Sequence, residues 1–139
     1  MSTDTKPPTL VGLLSGPDRP GIVADISSWV FNSGGNILHA DQHHDHLDNI
    51  FFQRVEWASG NNDPLQMLDD FARTAVSDWQ MQVRVALSTD RPKVAILVSK
   101  QDHCFHDLLH RFRAGEYNAD LVCTVSNHPD LREFAERDG

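Results

Sequence analysis

Hydrophobic and polar positions change period several times along the chain, and each change marks an element. Leu10-Val11-Gly12-Leu13-Leu14-Ser15 is a short apolar run between Pro8 and Gly16-Pro17, which predicts a strand. Ile22, Ile26, Trp29 and Val30 then recur at i, i+4, i+7 and i+8, the apolar stripe of a helix. Asp18 is expected as its cap, with Pro20 near its first turn. Gly34-Gly35 ends it, because glycine takes the left-handed terminating conformation without strain. Residues 36–45 and 50–57 alternate on either side of the turn Leu47-Asp48-Asn49, as an antiparallel hairpin does. After the loop Ser59-Gly60-Asn61-Asn62, Asp63-Pro64 opens a second helix, with Leu65, Leu68, Phe71, Ala72, Ala75 and Val76 expected on its apolar face. Residues 79–85 alternate again, as a strand with one wet face. The order over residues 9–88 is βαββαβ, the ferredoxin-like plait of an α+β fold.

Residues 91–139 follow a different rule. Val94-Ala95-Ile96-Leu97-Val98 is apolar at every position, the pattern of a parallel strand covered on both faces. Phe105, Leu108, Leu109 and Phe112 predict a helix stopped near Gly115, and residues 121–125 a second buried strand. Asn127-His128-Pro129-Asp130 opens a last helix carrying Leu131, Phe134 and Ala135. The segment is βαβα and α/β, with a right-handed crossover expected. Two parallel strands with so few helices do not make a finished sheet, so it reads as an incomplete Rossmann-like domain and the 139 residues as a fragment.

Charge follows the same division. Residues 1–90 hold five basic and twelve acidic residues, a net of −7, whereas residues 91–139 hold seven and eight, a net of −1. The seam is the polar, proline-containing stretch Ser88-Thr89-Asp90-Arg91-Pro92. The total of −8 repels phosphate backbones and anionic lipid, which argues against nucleic acid and membrane surfaces as partners. The longest apolar runs are far shorter than the ~20 residues of a membrane span, and Met1–Pro8 has no apolar core of a targeting segment. Cys104 and Cys123, without CxxC spacing, fit reduced thiols in a cytoplasmic protein.

Several segments resemble a known family. Gly16-Pro17-Asp18-Arg19-Pro20-Gly21-Ile22-Val23 and Gly35-Asn36-Ile37 are similar to the first loop, helix and second strand of an ACT regulatory domain. Ala40-Asp41-Gln42-His43, Phe51-Phe52-Gln53-Arg54-Val55-Glu56, residues 94–100, His103-Cys104-Phe105-His106-Asp107-Leu108-Leu109 and Ser126-Asn127-His128-Pro129-Asp130-Leu131 resemble the formyltetrahydrofolate deformylases. The likeness spans about residues 9–137. It implies an ACT-type domain over 9–88 and the first part of a formyltransferase-like catalytic domain over 91–139. The implied reaction is hydrolysis of 10-formyltetrahydrofolate to tetrahydrofolate and formate, supporting purine synthesis and one-carbon balance, with folate as substrate and no cofactor. The family's catalytic Asn, His and Asp, including an Asn-Ile-His-His-like strand, have no counterpart in this sequence, so no catalytic residue is assigned and the chain alone is expected to be inactive. No glycine-rich phosphate loop follows Val98, where the sequence reads Ser99-Lys100-Gln101-Asp102-His103. Asp48-Asn49 stands where the family often has glycine, and Gln53 where methionine is common.

The resemblance assigns Asp18, Arg19, Pro20, Gly21, Asn36 and Ile37 to an amino-acid effector site shared between two subunits, for glycine or methionine. Free N–H groups at a helix start suit a carboxylate, and Gly21 allows close approach; the plain alternative is a loop without a ligand. His39, Asp41 and His43 share one strand face while His44 and His46 share the other, so a split set is read as solvated side chains and no metal is assigned. His103, Cys104, Asn127 and His128 are candidate walls of a substrate cleft. A Cys104–His128 nucleophile pair is the sharper but less favoured alternative, since free cysteines usually pack. Trp29, Trp57 and Trp79 fall on core faces. Two further readings stay open: a stand-alone ACT sensor dimerising through edge strands, and a half-enzyme completed by a separate chain.

Overall fold

The structure is a computed structural model that describes residues 7–137. Residues 1–6, expected to hold no targeting segment, and 138–139 lie outside the described residues. The chain forms two compact units that divide between Thr89 and Asp90.

The first unit contains β1 (Leu10–Pro17), α1 (Ile22–Asn32), β2 (Asn36–Asp45), β3 (Ile50–Ala58), α2 (Pro64–Ser77) and β4 (Gln82–Leu87). The strands form one antiparallel sheet in the order β2-β3-β1-β4. This is the ferredoxin-like plait. Leu10, Leu14, Phe51, Val55 and Trp57 turn one sheet face toward Ile22, Ile26 and Val30 of α1 and Met67, Leu68, Phe71 and Ala75 of α2. Phe71 is the hub of that core. Its ring centroid lies 4.7 Å from Trp57, 5.2 Å from Trp29 and 5.5 Å from Trp79. The ring rests on the backbone of β1 at Gly12, where a Cβ would come within 2.7 Å of Phe71 Cε1.

Three local expectations are corrected. Asp18 does not cap α1. Strand β1 continues to Pro17, and the Asp18 amide donates to Asn49 O at 3.1 Å, so the helix begins after Gly21, at φ 86°. On α2, capped by Asp63 accepting from Gln66 N at 2.8 Å, Leu65 and Val76 are exposed and Met67 is buried. At 3.6 residues per turn, Leu65 and Val76 lie roughly 120–140° round the helix from Phe71, whose seat on Gly12 sets the rotation. Strand β4 starts at Gln82 rather than residue 79, because 78–81 first close off α2. Trp79 N donates to Thr74 O, Met81 N donates to Ala75 O at 2.9 Å, and Gln80 between them takes φ 56°. Gly34, at φ 80°, ends α1 as expected, and Asn49, at φ 53°, makes the hairpin turn.

The second unit contains β5 (Lys93–Val98), α3 (His103–Arg113), β6 (Asp120–Ser126) and α4 (Arg132–Glu136). Strands β5 and β6 are parallel, and Ile96, Phe105, Leu109 and Leu131 form a small core. Arg91 fixes the start of the pair, donating from Nε and Nη2 to Asp120 Oδ1 (2.9 and 2.7 Å) and from Nη2 to Ala119 O. The expected cover on both faces is absent among the described residues: Leu97 is 78% exposed, and Val122 and Val125 are also open. The helices contribute to one core only, on the face of Ile96. The last helix is a single short turn after Leu131, and Phe134 is 43% exposed and stays out of the core, its ring edge-on to His106 at 4.8 Å.

Two polar features of the first unit generate predictions. Gln53 is 4% exposed, and its Oε1 has no hydrogen-bond partner among the described residues. An unpaired buried carbonyl costs about 1–3 kcal/mol. Gln53→Met is therefore expected to raise unfolding stability by about 1 kcal/mol, read by urea denaturation; a lower midpoint would show that the amide is satisfied. At the far end of β3, Glu56 Oε1 accepts from Thr9 Oγ1 at 2.6 Å and Oε2 accepts from Arg54 Nη2 at 2.8 Å. The Thr9 hydroxyl first, then the Arg54 guanidinium, hold this carboxyl below its ordinary value, against the opposing effect of burial. A depressed folded-state pKa stabilises the protein above the unfolded-state value of about 4.3 and loses that contribution as pH falls through the folded value. Glu56→Gln is expected to lower stability by about 1 kcal/mol at pH 7, with the gap to wild type closing as pH falls below about 4.

Candidate functional site

The loop between β1 and α1 owes its shape to the late end of β1 and the left-handed Gly21. A glycine N-cap offers no side chain to the first turn of α1, so no side-chain hydrogen bond closes that helix end. No atom lies within 4 Å of where a Gly21 Cβ would stand, which leaves the approach to the backbone open. Arg19 is turned aside by Asp25 of the first turn, Nη2 to Oδ2 at 2.7 Å. Asp18 is held against the tip of the β2–β3 hairpin, where His44 Nε2 lies 3.6 Å from Asp18 Oδ2 and 3.2 Å from Asn49 Oδ1.

The six candidate effector residues fall into two groups. Asp18, Arg19, Pro20 and Gly21 stand at the sheet end where Pro17 pairs with Ile50. Asn36 opens β2 opposite Ala58, at the other end, and Ile37 packs toward the core opposite Trp57. Eight residues of β3 separate those rows, roughly 26 Å at strand rise. One chain does not bring the two groups together.

The histidine-rich strand divides as its alternation predicts. His39, Asp41 and His43 stand opposite Glu56, Arg54 and Phe52 on the sheet face away from the helices, while His44 turns to the β1–α1 loop and stacks edge-on to His46 at 4.4 Å. Among the described residues, no group of three or more His, Cys, Asp or Glu side chains gathers as a metal site.

In the second unit a cleft of about 460 Å³ opens at the carboxyl ends of β5 and β6, the edge at which open α/β sheets place ligands. Asn127 and His128 line it with Val98, Ser126 and Arg132. The His128 amide donates to Ser126 Oγ at 3.1 Å, which folds the strand end back under the cleft. His103 and Cys104 begin α3 and do not line it; Cys104 is exposed. Neither Ser126, which opens the segment Ser126–Leu131, nor Arg132 is a cleft candidate from sequence. Their only signal was nearness to Asn127-His128, and the Arg132 Nε donation to Glu136 Oε1 at 2.6 Å needs the helix to be seen.

The first unit has the fold of an ACT domain: it shares its architecture with an ACT domain protein from Streptococcus pneumoniae at a TM-score of 0.52 and 19% identity, over 60% of this chain and 93% of that one. Across both units the chain is homologous to the formyltetrahydrofolate deformylases. A formyltetrahydrofolate deformylase from a Synechocystis strain is 40% identical over 132 residues, 91% of this chain and 45% of that protein. The crystal structure of the deformylase from Burkholderia mallei matches with a TM-score of 0.78 at 32% identity, over 96% of this chain and 47% of that one. The chain thus spans about half the length of the deformylases it matches. No family model matches it.

The contact of His44 with Asp18 and Asn49 joins the loop to the hairpin through side chains. Replacing His44 with alanine is expected to speed hydrogen exchange of the Asp18 amide about two- to threefold, the size of one exposed polar contact, with the fold intact by circular dichroism. Unchanged exchange would show that the backbone bond to Asn49 holds the loop unaided.

Proposed function

We propose that this chain is the regulatory portion, with the opening of the catalytic portion, of a cytoplasmic formyltetrahydrofolate deformylase. That enzyme hydrolyses 10-formyltetrahydrofolate to tetrahydrofolate and formate. One observation carries the reading: a deformylase covers both units, 96% of the chain, while the ACT domain protein covers only 60%. A stand-alone ACT sensor has no use for a parallel β5–β6 pair. Water is the formyl acceptor in the proposed reaction, and folate is the substrate, so no cofactor is required.

In this reading the β1–α1 loop takes an amino-acid effector. The open first turn of α1 offers backbone N–H groups to the effector's carboxylate, at the positive end of the helix dipole. The Asn36–Ile37 end is supplied by a second subunit, because one chain leaves it roughly 26 Å away. Pairing through the exposed edge strand β2 is the proposed contact between those subunits. The second unit contributes the Asn127–His128 wall of the folate cleft, while carbonyl polarisation and proton handling fall to residues outside this sequence.

Calorimetry of the chain with glycine and with methionine tests the effector reading: heat from one of them is expected, abolished by Gly21→Val. Heat from neither would remove the effector role. A formate-release assay with 10-formyltetrahydrofolate is expected to show no turnover by the chain alone, and turnover would return Cys104 and His128 to candidacy as a catalytic pair.

A further inference from the structure

We propose that the sheet face turned away from the helices docks a second copy of this chain, sheet against sheet, about a two-fold axis parallel to the strands. This surface is separate from the effector loop and from pairing along the β2 edge. The strand registers carry the inference. Asp41 stands opposite Arg54, Arg54 opposite Leu13, and Leu13 opposite Arg84, so these four residues form one row across β2, β3, β1 and β4. All four belong to the face away from the core, because the residues that alternate with them, Leu14, Val55 and Val83, pack inward.

The two middle strands present apolar side chains beside the Arg54–Glu56 pair on this face. Leu13 is 48% exposed and Phe52, on the next row, 42%. Arg54 is already held by Glu56 at 2.8 Å. The two outer charges are different: neither Asp41 nor Arg84 has an ion pair or hydrogen bond among the described residues. They lie three strand spacings apart, roughly 14 Å, and do not meet within one sheet.

Two-fold symmetry resolves that separation. Rotation about an axis parallel to the strands, midway between two stacked sheets, reverses the strand order and keeps the height along each strand. Strand β2 of one copy then lies over β4 of the other, and Asp41 faces the partner's Arg84 at both ends of the row. Leu13 meets the aliphatic stem of the partner's Arg54, whose guanidinium stays on Glu56. Sheets packed face to face lie about 10 Å apart and within about 30° of alignment, a gap that an arginine and an aspartate bridge from opposite sides. The face is roughly 20 by 20 Å at strand dimensions, small beside a standard interface, so the dimer is a weak one and its two charge pairs weigh heavily in its specificity.

Sedimentation equilibrium of the full chain tests the surface. The wild type is expected to dimerise at concentrations on the order of 100 μM, with association falling as salt rises. Asp41→Arg and Arg84→Asp are each expected to weaken dimerisation about tenfold or more, because each places like charges together twice. The double variant Asp41→Arg/Arg84→Asp is expected to return to within about threefold of wild type, since it restores both pairs with exchanged signs. Circular dichroism reports the folding of each variant. A wild type that stays monomeric overturns the proposal. So does a dimer that both single variants leave unchanged, the result expected if copies pair only through strand edges, and so does a folded double variant that fails to recover.

Discussion

The first unit is organised around one close approach, the Phe71 ring on the bare backbone of Gly12. No larger residue fits at that point of β1, because a Cβ would stand 2.7 Å from the ring. The contact fixes how deeply α2 settles on the sheet and how it is rotated about its axis. It also gathers Trp29 from α1, Trp57 from β3 and Trp79 from the end of α2 around one ring. Edge-on and tilted aromatic pairs each add stabilisation beyond burial alone, and here α1, α2, β3 and the turn after α2 share them. Both helices and the central strands are therefore positioned by one residue pair that is 59 positions apart in sequence.

That contact also explains which parts of the fold were legible in the sequence. Alternation and helical spacing identified every element in order, because periodicity reports which face of an element is apolar. It does not report which of several apolar residues sits deepest. Leu65, Val76 and Met67 on α2 are equally hydrophobic by pattern, and only the seat of Phe71 on a distant glycine separates them. Asp18 misled for a related reason: capping residues also make good loop anchors, and its amide was claimed by Asn49 of the β2–β3 turn. The candidate sites were legible as residue sets but not as places. Asn127 and His128 share a cleft because they adjoin a strand end, whereas the effector set is divided by the length of the sheet, which no local motif records.

The two units differ in how completely they meet their own needs. The plait packs Phe51, Trp57, Phe71 and Trp79 between one sheet face and two helices. The parallel pair β5–β6 has a core of four buried residues and leaves Leu97, Val122 and Val125 open. Homology to deformylases extends over both, which ties the self-sufficient unit and the open one to a single kind of protein. The proposed effector loop and the Asn127–His128 cleft belong to different units.

The ends of the plait are fastened to each other. Thr9 N donates to Ser88 Oγ at 2.9 Å and Ser88 N donates to Thr9 O at 2.8 Å, while the Thr9 hydroxyl is tied to Glu56. Thr9 and Ser88 thus sit side by side where β1 begins and β4 ends. A module closed in this way makes little geometric demand on whatever precedes or follows it, and it can be spliced into a longer polypeptide without stretching its own sheet. The same clamp that resists fraying makes the plait a portable cassette, suited to recombination in front of unrelated downstream machinery.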